Sequence, residues 1–101
     1  MTLRAHLEFT DSKTADTAVT KFLDILIAEN GFPGSGGWVA RTLTPDPSAT
    51  SRIIDFTAGG QDVADAISYA AEDAVAHFGT FEGTSVRWEQ LPYADGSAGR
   101  R

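Results

Sequence analysis

The sequence predicts an α+β fold: a four-stranded antiparallel sheet with two helices packed on one of its faces. Three observations lead there. Four short stretches alternate apolar and polar residues, the period of a strand buried on one side. Between the first and second stretch, and again between the third and fourth, the apolar spacing changes to that of a helix. At 101 residues, the chain has the size of one domain around one core.

Residues 2–10, TLRAHLEFT, put Leu3, Ala5, Leu7 and Phe9 on one side and Arg4, His6 and Glu8 on the other. Residues 11–30 form a helix whose apolar stripe is Ala15, Ala18, Val19, Phe22, Leu23, Ile25 and Leu26, with Ile27 off the stripe. Asp11 or Ser12 caps its start, and Gly31 stops it. Residues 37–43 and 51–58 are strands, and the prolines of TPDPSATS make the span between them a hairpin loop. In the second of these strands Ile54, Phe56 and Ala58 point one way and Ile53, Asp55 and Thr57 the other. The pattern of 37–43 leaves two inward faces open, Trp38/Ala40/Thr42 or Val39/Arg41/Leu43.

Residues 61–78 form the second helix, with Val63, Ile67, Ala70, Ala71, Ala74, Val75 and Phe78 as its buried stripe. The last strand, 84–91, sets Val86 and Trp88 against Arg87 and Glu89. Residues 1–91 make one domain, and 92–101, polar and glycine-rich, are expected to be a flexible tail. The resulting β-α-β-β-α-β order resembles the ferredoxin-like sandwich, in which two right-handed crossovers place both helices on one side of the sheet. That fold carries many unrelated activities, so the resemblance implies an architecture and no function.

Hydrophobic and charged fractions of 42% and 22% are those of a globular chain. There is no cysteine, which excludes disulfides, thiolate metal sites and a thiol nucleophile. No apolar run behind a basic region marks a signal peptide, and no stretch is long enough to span a bilayer; a cytoplasmic location is expected. The net charge of −6 is concentrated: from Ile53 to Val86 there is no Lys or Arg, while Asp55, Asp62, Asp65, Glu72, Asp73 and Glu82 all fall there. Outside that segment acids and bases cancel. Such a field disfavours nucleic acid and anionic membranes and favours a basic partner.

Four candidate sites arise. NGFPGSGGWVAR (30–41) has the glycines of a phosphate cradle, but it follows a helix and precedes a strand. The cradle needs the reverse order, because helix N-terminal amides hold the anion and a helix C-terminus repels it. It reads as a flexible connector. Arg4, His6, Glu8, Asp55, Thr57, Arg87 and Glu89 share the sheet face away from the helices. There His6 beside Asp55 or Glu89 has the makings of a general base. Plain cross-strand ion pairing accounts for the same residues and is preferred. This face also lacks the aromatics with which ferredoxin-like RNA readers stack bases. His6 and His77 have no metal-ligand spacing, and no nucleophile elbow or Ser-His-Asp pattern occurs, so no metal or cofactor is expected. On the second helix, Asp62, Asp65, Tyr69, Glu72 and Asp73 project together, a tyrosine among carboxylates suited to a protein partner, although a simply solvated face fits as well.

The leading reading is a small non-enzymatic interaction domain that presents Asp65, Tyr69, Glu72 and Asp73 to a basic protein and self-associates through its sheet. The alternative is a dimeric α+β barrel-type enzyme or small-ligand binder, with His6, Trp38, Arg41 and Trp88 at a pocket or dimer seam. A second alternative is an acidic inhibitor that imitates nucleic acid, for which the carboxylates are few.

Overall fold

The computed structural model describes residues 1–43, 46–59 and 62–91. In chain order the elements are β1 (Thr2–Glu8), α1 (Ser12–Asn30), β2 (Gly34–Ser35), β3 (Trp38–Leu43), β4 (Ser51–Ala58), α2 (Val63–Phe78) and β5 (Ser85–Leu91). The strands form one sheet in the order β2-β3-β4-β1-β5, every pair antiparallel. Two expectations change here. The sheet has five strands, not four, and span 30–41 is a hairpin rather than a loose connector. Gly36 and Gly37 take φ of 43° and 102°, while Ser35 pairs with Trp38. Two consecutive positive φ values make the tight two-residue turn that matches strand twist, and glycine adopts them without a Cβ clash. The tail expected at 92–101 lies outside the described residues.

Helix α1 starts where Asp11 accepts the Thr14 backbone N–H at 2.7 Å, the N-cap geometry. It stops at Gly31, φ 84°, whose N–H reaches the Ile27 carbonyl at 2.8 Å. Asn30 then ties the hairpin to the helix: its side-chain amide donates to Gly34 O at 2.8 Å and Leu26 O at 3.2 Å.

Both helices cover the same side of the sheet. The buried side chains of β1, β3 and β4 on that side are Ala5, Leu7, Trp38, Ala40, Ile54, Phe56 and Ala58, and they meet Phe22 and Leu26 of α1 and Ile67, Ala70, Ala74 and Phe78 of α2. Rings join the layers, with Phe22 and Phe56 centroids at 6.1 Å and Phe22 and Phe78 at 5.1 Å, edge-on or tilted as ring quadrupoles favour. Trp38 is 2% exposed and packs on Phe56 at 5.6 Å, so the inward face of β3 is Trp38/Ala40/Thr42. The buried stripe of α2 differs from the expected one: Ala66 is buried, Val63 and Ala71 are partly buried and Val75 is exposed.

Among the described residues one charged side chain joins this interior. Arg52 of β4 donates to Pro47 O at 3.0 Å, Ser51 O at 2.8 Å, Asp16 Oδ1 at 2.8 Å and the Ala49 carbonyl. It fastens loop 46–50 to the start of α1. Among the described residues no helix is long and apolar enough to cross a membrane.

Candidate functional site

Two surfaces emerge on opposite sides of the sheet. The first is the outer face of α2. Asp65, Tyr69, Glu72 and Asp73 stand three or four residues apart and so share one face; all four are exposed, Tyr69 by 61%. Asp62 precedes the helix as its N-cap residue but makes no side-chain cap bond. Asp73 also belongs to a groove of about 310 Å³ between the helices, together with Phe22, Ile25, Leu26, Glu29 and His77. The groove floor is apolar and aromatic, and its banks carry the carboxylates of Asp73 and Glu29. His77 is held in its wall: Nε2 lies 3.0 Å from Ala18 O, and since a carbonyl only accepts, that nitrogen carries the proton. Phe22, Phe78 and Phe81 surround the ring with centroids 4.9–5.4 Å away.

Sequence pattern located the α2 face but not the groove. Ile25 is 43% exposed, although helical spacing assigned it to the buried stripe. The helices are joined where Phe22 meets His77 and Phe78, and Ile25 and Leu26 line the cleft beside that contact.

The second surface is the uncovered sheet face. Register sets its side chains in rows across β3, β4, β1 and β5: Val39–Thr57–Thr2–Leu91, Arg41–Asp55–Arg4–Glu89 and Leu43–Ile53–His6–Arg87. Glu8 lies beyond them, between Ser51 and Ser85. The cluster Arg4, His6, Glu8, Asp55, Thr57, Arg87 and Glu89 is therefore assembled on one face. Arg4 holds Asp55 with two bonds, Nε to Oδ1 at 2.8 Å and Nη2 to Oδ2 at 2.9 Å. The hydrogen bonding that Arg4 donates to Asp55 is the main cause that raises the guanidinium pKa above its ordinary value, against a smaller desolvation effect. His6 takes Glu89 rather than Asp55, with Nε2 2.8 Å from Oε1, because the bidentate bond with Arg4 already occupies Asp55. Thr50 closes the row end with a hydrogen bond to Glu8.

The four residues considered for a pocket or dimer seam are divided by the sheet. Trp38 is in the core and Trp88 packs against it, partly buried, whereas His6 and Arg41 lie in the rows of the open face. A depression of about 350 Å³ on that side has His6, Glu8, Ser51, Ile53, Ser85 and Arg87 in its lining. The row Arg41–Asp55–Arg4–Glu89, with its alternating charges, was beyond sequence reasoning, since strand parity assigns a face and only register assigns neighbours. No protein-family model matches the chain, and no curated protein matches it in sequence.

Proposed function

We propose that this chain is a small non-enzymatic interaction domain of ferredoxin-like architecture, which presents the acidic face of α2 to a basic protein partner. The β5-β1-β4-β3 part of the sheet, with both helices on one side, supports the architecture, with β2 as an added edge. The observation that carries the function is Tyr69, 61% exposed amid Asp65, Glu72 and Asp73. An aromatic with one polar tip supplies contact area at small entropic cost, while surrounding carboxylates steer a cationic surface toward it. Asp73 joins this patch to the groove, where Glu29 stands on the far bank. A basic segment with an aliphatic or aromatic side chain fits such a site, charge to the rim and apolar body to the floor.

The test is capture by the immobilised chain compared with a Tyr69→Ala, Glu72→Gln, Asp73→Asn triple variant, with circular dichroism as the folding control. The wild type retains a basic protein and releases it as salt rises, and the folded triple variant retains none. Equal capture by both chains refutes the assignment. A cytoplasmic setting accords with the cysteine-free composition.

The 2.8 Å His6–Glu89 contact favours one second reading, a small-ligand binder or enzyme on the open face. It would use His6 and Arg87, with Arg41 farther along the face, and would leave Trp38 and Trp88 out. Binding of small anions that is lost in His6→Ala distinguishes this reading from the first.

A further inference from the structure

The open sheet face carries a charge pattern that complements itself, and we infer that its occupant is a second copy of this chain. Arg4, Arg41 and Arg87 on this face are balanced by Glu8, Asp55 and Glu89, so the face selects neither a cationic nor an anionic partner. What it does have is order. The central row reads Arg41, Asp55, Arg4, Glu89 across β3, β4, β1 and β5, alternating plus and minus.

Isologous pairing requires a two-fold axis lying between the two faces. An axis parallel to the strands and midway between β1 and β4 reverses strand order in the second copy. Arg41 then faces the other copy's Glu89, and Asp55 faces its Arg4, so the row meets its opposite at every position. In the neighbouring rows Val39, 46% exposed, meets Leu91 and Ile53 meets the ring of His6, while Leu43 lies against the aliphatic stem of Arg87.

Other axes fail on charge. An axis along the row itself sets Arg41 on Arg41 and Asp55 on Asp55. One shifted onto β1 sets Arg4 on Arg4. One perpendicular to the strands, between this row and the next, strands Asp55 over Ile53 and puts Arg4 over His6. The central parallel axis also overlaps all four long strands. Aligned sheets cross at about 30°, and with strands about 4.8 Å apart the outer strands lie roughly 7 Å from the axis. The crossing therefore displaces the outer pairs by only about 4 Å, within the reach of an arginine.

Arg41 makes no ion pair within its own chain among the described residues; the dimer provides one. Both helices lie on the other side of the sheet, so the dimer displays two α2 faces outward, and it forms whether or not α2 binds a partner.

Analytical ultracentrifugation of the full chain from micromolar to millimolar concentration tests the inference. The wild type sediments as a dimer, and Arg41→Glu and Glu89→Arg each raise the dissociation constant at least about tenfold, by setting like charges across the interface. An equimolar mixture of the two variants restores a dimer, because in that pair each altered side chain meets its opposite. The restored dimer also shows that both variants fold. A wild type that stays monomeric throughout, variants that dimerise like the wild type, or a mixture no tighter than its components each overturn the inference. The α2 triple variant dimerises as the wild type does, so failure of this inference is separate from failure of the α2 assignment.

Discussion

Arg52 is 3% exposed while its partner Asp16 has a side chain 64% exposed, and that asymmetry decides how each contributes. Parity with Ile54, Phe56 and Ala58 already places Arg52 on the helix side of β4, where an arginine has no business unless acceptors await it. Beside the Asp16 carboxylate, the acceptors are the backbone carbonyls of Pro47, Ala49 and Ser51, which the chain supplies by folding back and which are therefore invisible in the sequence. Arg52→Met keeps the aliphatic stem and strands those carbonyls. It is expected to cost about 2–3 kcal/mol, read as a lower urea midpoint with unchanged slope. Asp16→Ala should cost less than about 1 kcal/mol, the scale of exposed ion pairs.

Asp11 gives a pH signature at the same scale. The backbone hydrogen bond from Thr14 is the chief cause that holds its carboxyl below the ordinary 3.8; Asp46 is lowered similarly, first by the Ser48 hydroxyl. A carboxyl depressed by folding binds its proton less well in the native state. Its stabilisation is complete above the unfolded value and disappears as pH falls through the folded one. Thermal melts of wild type and Asp11→Asn should thus differ at neutral pH and converge below about pH 4.

At the scale of elements, periodicity located both helices and the four long strands, because each element reports its environment through residues a few positions apart. It missed β2 for a related reason: two residues are too short to show a period. The signal present was the Gly36–Gly37 pair, a hairpin turn obscured by a glycine-rich context that reads as a flexible connector. Gly34 shows how closely this hairpin is built. A Cβ there would stand 2.2 Å from the Trp38 carbonyl oxygen and 2.9 Å from the Val39 Cα, backbone atoms that cannot step aside. Gly34→Ala is expected to destabilise by about 1–3 kcal/mol, with loss of amide protection at Ala40, whose N–H meets Pro33 O at 2.7 Å. At Gly59, where a Cβ meets nothing within 4 Å, the same change should stay within about 0.5 kcal/mol. Val75 and Ile25 show the converse limit. Helical spacing finds a stripe, but the width actually covered depends on where the neighbouring helix lies.

For the whole molecule, charge and topology act together. The acids concentrated between Ile53 and Val86 are distributed by the fold to two sides: Asp65, Glu72 and Asp73 go outward on α2, while Asp55 joins the balanced rows of the open face. One surface is left acidic and the other neutral and self-complementary, an arrangement that a net charge of −6 does not reveal. Hydrophobic period, a local property of neighbouring residues, is enough for the α+β class, the order of the long elements, the polar side of β1 and β4 and the exposed composition of α2. Tertiary structure alone decided that Trp38 is core, that Arg52 is buried, that His6 takes Glu89, and that Arg41, Asp55, Arg4 and Glu89 form one row. Those outcomes depend on register between strands whose paired residues, such as Thr2 and Leu91, are as many as 89 positions apart, which is set when distant segments bury their apolar faces together.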